Sequence, residues 1–359
     1  MKEHHKTSGK PFHFRFLTGF LTAAYCVCLA SPAGYALWDG KFRAGAETPE
    51  RTAAGAAECV MEAESRRILY ERQGDVPLPM ASTTKILTAV TVLENASLEE
   101  EFPVPEQAAG VEGSSVYLEK GAVYSVKDLL YGLMLRSGND CAEALALHVS
   151  GSIGEFAQKM NETAEKAGAL HSFFKNPHGL PCEGHYTTAR DLTLITCYAM
   201  HNIVFREIVG TRYYSPRGWE NKNKMLRRYE GAPGVKTGYT KEAGRCLVTS
   251  AERGGMTLVC TVLNCPAMYE RTERLLDDAF GAYERVCVLD GETPLAVGNE
   301  IGRTGESLFY PMYPEEREHL RIETAPRQVF GREKNDEIIG EVKIYLLNRL
   351  IFSRNLYKL

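Results

Sequence analysis

Pro79-Met80-Ala81-Ser82-Thr83-Thr84-Lys85-Ile86-Leu87-Thr88-Ala89-Val90-Thr91-Val92-Leu93-Glu94 is the stretch on which the reading of this chain turns. Ile86, Leu87, Val90 and Leu93 recur at helical spacing, so an apolar helix follows the stop imposed by Pro77 and Pro79, with Ser82 near its first turn. A Ser three places before a Lys on one helix face brings a hydroxyl and an amine close enough to share a proton. Such a pair can form an alkoxide without histidine when the Lys is partly neutral, a state that burial or a second cation promotes.

The pair alone has little specificity. With Ser and Lys each at roughly 5–7% of residues, Ser-x-x-Lys arises by chance about once in a chain this long. Ser172-Phe173-Phe174-Lys175 is such a decoy, since it runs straight into the turn residues Asn176-Pro177 and no apolar helix follows it.

Outward from the Ser82 helix, residues 59–64 and 67–71 read as an extended pair turning at Glu64-Ser65-Arg66. Helices are expected over 126–135, 140–150, 153–167 and 189–200, with a loop at Asn176-Pro177-His178-Gly179-Leu180-Pro181. Residues 245–251 and 256–263 form a strand pair joined by Glu252-Arg253-Gly254-Gly255, and a closing helix covers 275–282. From 286 onward short strands alternate with turns. The chain therefore divides into a helix-and-sheet domain over 37–285 and a small all-β domain over 286–359.

Residues 1–36 differ from the rest. Lys2, Lys6, Lys10 and Arg15 precede the apolar run 16–30, and Ser31-Pro32-Ala33-Gly34-Tyr35-Ala36 supplies small residues. That order is a secretory signal peptide, cut after Ala33 or Ala36, and the run is short for a membrane span. The protein is therefore expected outside the cytoplasm. The net charge of −4 gives no support to nucleic-acid binding. Eight of the ten cysteines follow the signal segment without a Cys-x-x-Cys pair, and read as buried free thiols rather than a staple or metal site. The C-terminal 343–359 is basic and apolar like an interfacial helix, but Val342, Ile344, Leu346, Leu350 and Phe352 alternate, which favours strands.

Two further elements extend the chemistry. Ser137-Gly138-Asn139 ends a helix, where polar side chains can face a cleft, although Ser353-Arg354-Asn355 matches the same loose pattern. Lys236-Thr237-Gly238 opens the strand pair: Lys offers a fixed charge for a carboxylate, Thr a hydroxyl donor, and Gly lets a peptide backbone come close.

The order Ser-x-x-Lys, Ser-x-Asn, Lys-Thr-Gly is the signature of penicillin-recognising serine enzymes. Ala81-Ser82-Thr83-Thr84-Lys85, Ser137-Gly138-Asn139-Asp140, Asn176-Pro177-His178-Gly179-Leu180 and Gly234-Val235-Lys236-Thr237-Gly238-Tyr239-Thr240 resemble the low-molecular-weight penicillin-binding proteins, the D-Ala-D-Ala carboxypeptidases of bacterial cell-wall synthesis. The resemblance implies an α/β (α+β) fold of the DD-peptidase/β-lactamase type, an antiparallel sheet flanked by helices. It implies a peptidoglycan stem peptide as substrate, β-lactam antibiotics as inhibitors, and no metal or other cofactor.

It also implies roles. Ser82 attacks the carbonyl between the terminal D-alanines and Lys85 takes its proton; Ser137 relays a proton, and Asn139 orients the substrate amide and Lys85. The N–H groups of Ser82 and Tyr239 form the oxyanion hole, and Lys236 and Thr237 bind the terminal carboxylate beside Gly238. Lys222 and Arg271 fall where relatives can carry carboxylate-binding cations, while His178 shapes the cleft. A class A β-lactamase shares the three motifs but needs an added Glu, and no Glu-x-x-Leu-Asn stretch lies between Asn139 and Lys236. A DD-endopeptidase and an idle wall-binding protein of the same fold are the remaining alternatives.

Overall fold

The computed structural model describes residues 55–327 and 337–359; the expected signal segment lies outside the described residues. Along the chain, β1 (Ala57–Glu62) and β2 (Ile68–Arg72) form the expected hairpin. A 3-10 turn over Ala81–Thr84 leads into α1 (Lys85–Asn95), so Ser82 sits in the turn before the α-helix rather than inside it. The short pair β3 (Glu101–Pro103) and β4 (Val123–Ser125) precedes α2 (Val126–Tyr131), which continues as a π-helical turn over Gly132–Arg136. Then come α3 (Asn139–Ser150), α4 (Ile153–Ala167), α5 (Ala189–Met200) and α6 (Ile203–Gly210).

Sequence periodicity passed over α6. It is short, but Asn202 caps it by accepting from the N–H groups of Val204 and Phe205, and Phe205, Ile208 and Val209 are buried. After the small pair β5 (Tyr213–Tyr214) and β6 (Trp219–Glu220) and the single turn α7 (Met225–Arg228), three long strands follow: β7 (Gly234–Thr240), β8 (Gly244–Arg253) and β9 (Met256–Leu263). Lys236-Thr237-Gly238 thus lies on a strand of its own, paired along its length with β8, and not at the start of a two-stranded hairpin. Helix α8 (Met268–Ala282) begins seven residues before the expected position, because Met268 and Thr272 extend the buried face of Leu275, Leu276 and Ala279 by two turns.

The main sheet runs β2-β1-β9-β8-β7 and is antiparallel throughout, leaving β7 at the edge. Both its faces are covered. Alternate residues of β8 and β9 divide between two cores: Cys246, Val248, Val259 and Leu263 face the layer of α1 to α6, whereas Leu247, Ala251, Leu258 and Val262 face α8. A strand buried on both sides carries few polar residues, and in 246–251 and 258–263 every residue is buried and only Thr249, Ser250 and Thr261 are polar.

The C-terminal part is built of strands and one 3-10 turn over Pro314–His319: β10 (Glu284–Leu289) pairs with β13 (Leu308–Met312), and β11 (Leu295–Val297), β12 (Glu300–Arg303), β14 (Leu320–Pro326), β15 (Ile338–Leu346) and β16 (Arg349–Lys358) form a second five-stranded sheet. Its own core includes Val288, Val342, Ile344 and Leu356. The alternating C-terminus therefore builds β15 and β16. Arg67, from the β1–β2 turn, ties this part to the main sheet: its guanidinium donates to the Pro311 carbonyl at 2.7 Å, grips Glu316 with both ends, and lies over Tyr283 and Tyr310.

Candidate active site

The turn that carries Ser82 is held from several sides. Ala81 has φ 50°, a left-handed conformation that costs a non-glycine residue energy and persists only where its surroundings enforce it. One enforcing contact is Gly179 (φ +87°), where an added Cβ would fall 1.8 Å from the Ala81 carbonyl oxygen, so the His178-Gly179-Leu180 loop can close on the turn only with glycine there. The Thr83 hydroxyl donates to the Met80 carbonyl at 2.6 Å. His185 accepts the Lys175 N–H on Nδ1, so its Nε2 carries the hydrogen and donates to the Thr84 hydroxyl at 3.1 Å.

Lys85, the first residue of α1, is fully buried. Its Nζ lies 3.0 Å from Ser82 Oγ, 2.6 Å from Asn139 Oδ1 and 2.8 Å from the His178 carbonyl oxygen. Burial holds the Lys85 pKa well below the usual lysine range, and the charge of Lys236 adds to the effect. A neutral amine has two N–H donors and one lone pair. The Asn139 and His178 oxygens can only accept here, so they use both donors, and the lone pair is left facing the Ser82 hydroxyl. That is the arrangement a general base needs.

The second wall comes from the α2 terminus. The π-helical turn ends at Ser137, which adopts φ 66°, and α3 starts at Asn139. Asn139 is nearly buried: its Nδ2 donates to the Glu112 carbonyl at 2.5 Å and its N–H to the Ser114 carbonyl at 2.7 Å. Asp140 locks the same segment, accepting from the Ser115 hydroxyl and the N–H groups of Val116 and Leu118. The 112–118 segment is a support that motif reading missed, since its contribution is backbone.

The third wall is β7. Lys236 Nζ donates to Ser137 Oγ at 3.1 Å and to the Thr237 carbonyl at 2.9 Å, and the side chain is almost wholly buried. Burial first, then the charge of Lys222, pulls its pKa down to about 7. Gly238 runs beside the nucleophile's turn: a Cβ there would meet the Met80 carbonyl oxygen at 3.0 Å and the Ser82 nitrogen at 3.1 Å. Tyr239, the next residue, points its side chain into solvent. Ser82 and Lys85, Ser137 and Asn139, and the 236–239 stretch of β7 thus come together from three separated segments, joined by the Lys85–Asn139 and Lys236–Ser137 hydrogen bonds and by the approach of Gly238 to the Ser82 turn.

Several tempting residues lie elsewhere or act otherwise. Arg271 does not reach the cleft; it forms a two-pronged pair with fully buried Glu58 and also binds Tyr70, a structural bond between α8 and β1. Lys222 is half-buried, and its charge depresses the proton affinity of both Lys236 and Lys85. Ser172 is bound to Asp191 and Thr187 in the β-bridged loop before α5. His178 accepts the Leu180 N–H on Nδ1, so Nε2 donates to Glu143 at 3.2 Å, and burial lowers its pKa to about 3. It therefore serves as a neutral brace whose carbonyl binds Lys85. The eight described cysteines are free thiols, six of them buried.

Residues 43–267 match the family model described as D-alanyl-D-alanine carboxypeptidase. The D-alanyl-D-alanine carboxypeptidase DacF of Bacillus subtilis is 33% identical over 269 residues, covering 71% of this chain and 68% of that protein. The D-alanyl-D-alanine carboxypeptidase of Streptomyces sp. K15 is 36% identical over 239 residues, covering 59% and 82%. The crystal structure of penicillin binding protein 5 from Haemophilus influenzae superposes with a TM-score of 0.71 at 25% identity, covering 87% of this chain and 98% of that one. With that match, and with its three motifs gathered around one buried lysine, the chain belongs to the D-alanyl-D-alanine carboxypeptidase family.

Proposed function

We propose that Ser82 is the nucleophile of the serine-type D-Ala-D-Ala carboxypeptidase reaction of this chain, and that Lys85 is its general base. The observation that carries this is the contact of Lys85 Nζ with Ser82 Oγ at 3.0 Å, with the other two partners of Lys85 acting only as acceptors.

The terminal carboxylate of a stem pentapeptide binds beside Lys236 and Thr237. Ser82 Oγ attacks the carbonyl carbon of the penultimate D-alanine while its proton moves to Lys85 Nζ. The oxyanion is held by the backbone N–H groups of Ser82 and Tyr239, a contribution worth about 2.7–4 kcal/mol per donor in enzymes of this kind. The C–N bond then breaks and the departing amine takes a proton through Ser137, which is hydrogen-bonded to Lys236. Water hydrolyses the resulting ester and restores the hydroxyl. A β-lactam, whose strained amide and carboxylate imitate the same groups, acylates Ser82 by the first half of this sequence.

Family membership places the work on peptidoglycan, outside the cytoplasm. We further place the mature chain in the wall or at the outer face of the cytoplasmic membrane, exported by residues 1–36 and folded as a catalytic domain over 37–285 and a β domain over 286–359. Among the described residues no helix is long and apolar enough to cross a membrane.

The test is release of D-alanine from a pentapeptide, together with mapping of the residue labelled by fluorescent penicillin. The label is expected on Ser82, and Ser82→Ala should abolish both label and D-alanine release. A label on Ser172, or full activity in Ser82→Ala, refutes the assignment.

A further inference from the structure

The cleft does not end at the nucleophile. Along the edge strand β7, Lys236 touches Ser137, Gly238 lies against the Ser82 turn, and the strand then turns over through Glu242. A cavity of about 530 Å³ opens at that far end, walled by Pro77, Pro79, Pro181 and Tyr186 and lined by Glu183 and Glu242. Glu183 comes from the loop after Gly179, and Glu242 from the β7–β8 turn.

The charge in this cavity has one sign. Both carboxylates are exposed, and among the described residues no hydrogen bond or ion pair engages either one. Among the described residues no lysine or arginine lines the space, and the histidine that does, His185, is neutral because burial lowers its pKa to about 4. Two cations lie nearby: the Lys175 ammonium lies against Gly184 on the same loop, and exposed Lys241 precedes Glu242 in the β7–β8 turn, and neither forms an ion pair with Glu183 or Glu242 among the described residues.

The direction of the substrate follows from the proposed reaction, and the inference rests on that reading. A peptide whose terminal carboxylate lies at Lys236 and Thr237, and whose scissile carbonyl lies at Ser82, extends its acyl part past Gly238 toward Glu242. Glu242 lies four positions after Gly238, a span of at most about 13 Å at 3.3 Å per residue. One more backbone unit and a long side chain cover that distance. We propose that Glu183 and Glu242 form a specificity pocket for a cationic side-chain amine on the stem residue that precedes D-Ala-D-Ala. The pocket's prolines and Tyr186 pack on the aliphatic stem of that side chain while the carboxylates meet its ammonium.

Two pentapeptides ending in Lys-D-Ala-D-Ala, one with a free side-chain amine and one acetylated on it, separate the possibilities. In the wild type, kcat/KM for the free amine should exceed that for the acetylated peptide by about three- to tenfold, the range of one or two exposed ionic contacts. The preference should sit in KM and shrink as salt rises to about 0.5 M. In Glu183→Gln/Glu242→Gln the ratio should fall to about one. Equal use of both peptides by the wild type, or a ratio that survives the double substitution, overturns the pocket while leaving the carboxypeptidase reading intact. Release of D-alanine from neither peptide overturns that reading and the pocket with it.

Discussion

Lys236 is buried at a cost that can be measured by removing it. Its pKa falls from the ordinary 10.5 to about 7, so the folded state binds this proton more weakly than the unfolded chain does. At about 1.36 kcal/mol per pKa unit, that difference destabilises the folded protein by about 5 kcal/mol wherever the lysine is protonated in both states, below pH 7. Between pH 7 and 10.5 only the unfolded chain holds the proton, so the penalty shrinks with rising pH and is gone above 10.5. Lys236→Met keeps the unbranched stem and removes the penalty, but it strands the Ser137 hydroxyl and the Thr237 carbonyl, at about 1 kcal/mol each. The variant should therefore be more stable than the wild type by about 3 kcal/mol at pH 6, equal to it near pH 9, and less stable at pH 10.5, by the same arithmetic. Urea unfolding of both proteins across that range, followed by circular dichroism, measures the difference directly. A variant less stable at pH 6, or a gap that does not move with pH, refutes the placement of a depressed, buried ammonium here. D-alanine release should be lost throughout.

Arg271→Ala leaves Glu58, fully buried, with Tyr70 as its remaining side-chain partner among the described residues; it should cost about 3–5 kcal/mol in stability while leaving KM for the pentapeptide unchanged below the lowered melting temperature. A raised KM with unaltered melting would return Arg271 to the cleft. Gly179→Ala places a methyl group against the Ala81 carbonyl and strains φ, so the rate of Ser82 acylation by fluorescent penicillin should drop about a hundredfold or more. A normal acylation rate would show that the loop does not position the turn. The pH profile of kcat/KM should fall above about pH 7 as free Lys236 loses the proton that binds the carboxylate, with the loss expressed in KM rather than kcat. A profile still rising at pH 9 would exclude that role.

What the residues alone could disclose depended on whether a signal is periodic, chemical or purely geometric. Helix α1 and the strands β8 and β9 were legible because burial imposes a period on Ile86, Leu87, Val90 and Leu93 and a mostly apolar run of small and branched residues on 246–251 and 258–263. The motif side chains were legible because their chemistry is unusual at that spacing. The His178 carbonyl was not, since any residue has a carbonyl; nor was the 112–118 segment, which holds Asn139 through the Glu112 and Ser114 carbonyls. Arg271 misled because a cation has the same letter code whether it meets a substrate carboxylate or Glu58. Helix α6 has eight residues, too few for its period to stand out, and its start is marked by the Asn202 cap.

The cations of the cleft form a series whose order matters. Lys222 is half-buried and lowers the proton affinity of Lys236; Lys236 in turn lowers that of Lys85. In the empty cleft burial first, and this repulsion second, hold the proton affinity of Lys85 down beside Ser82, at the expense of its strength as a base. A substrate carboxylate arriving at Lys236 cancels part of that positive field at a buried site, where charges interact more strongly than in water. The proton affinity of Lys85 then rises just when Ser82 must give up its proton. A ligand without a carboxylate would leave the base weak even if its amide reached Ser82. Carboxylate recognition in this arrangement therefore belongs to the rate of acylation as well as to binding, and it links Lys236 to a bond-forming step that it never touches.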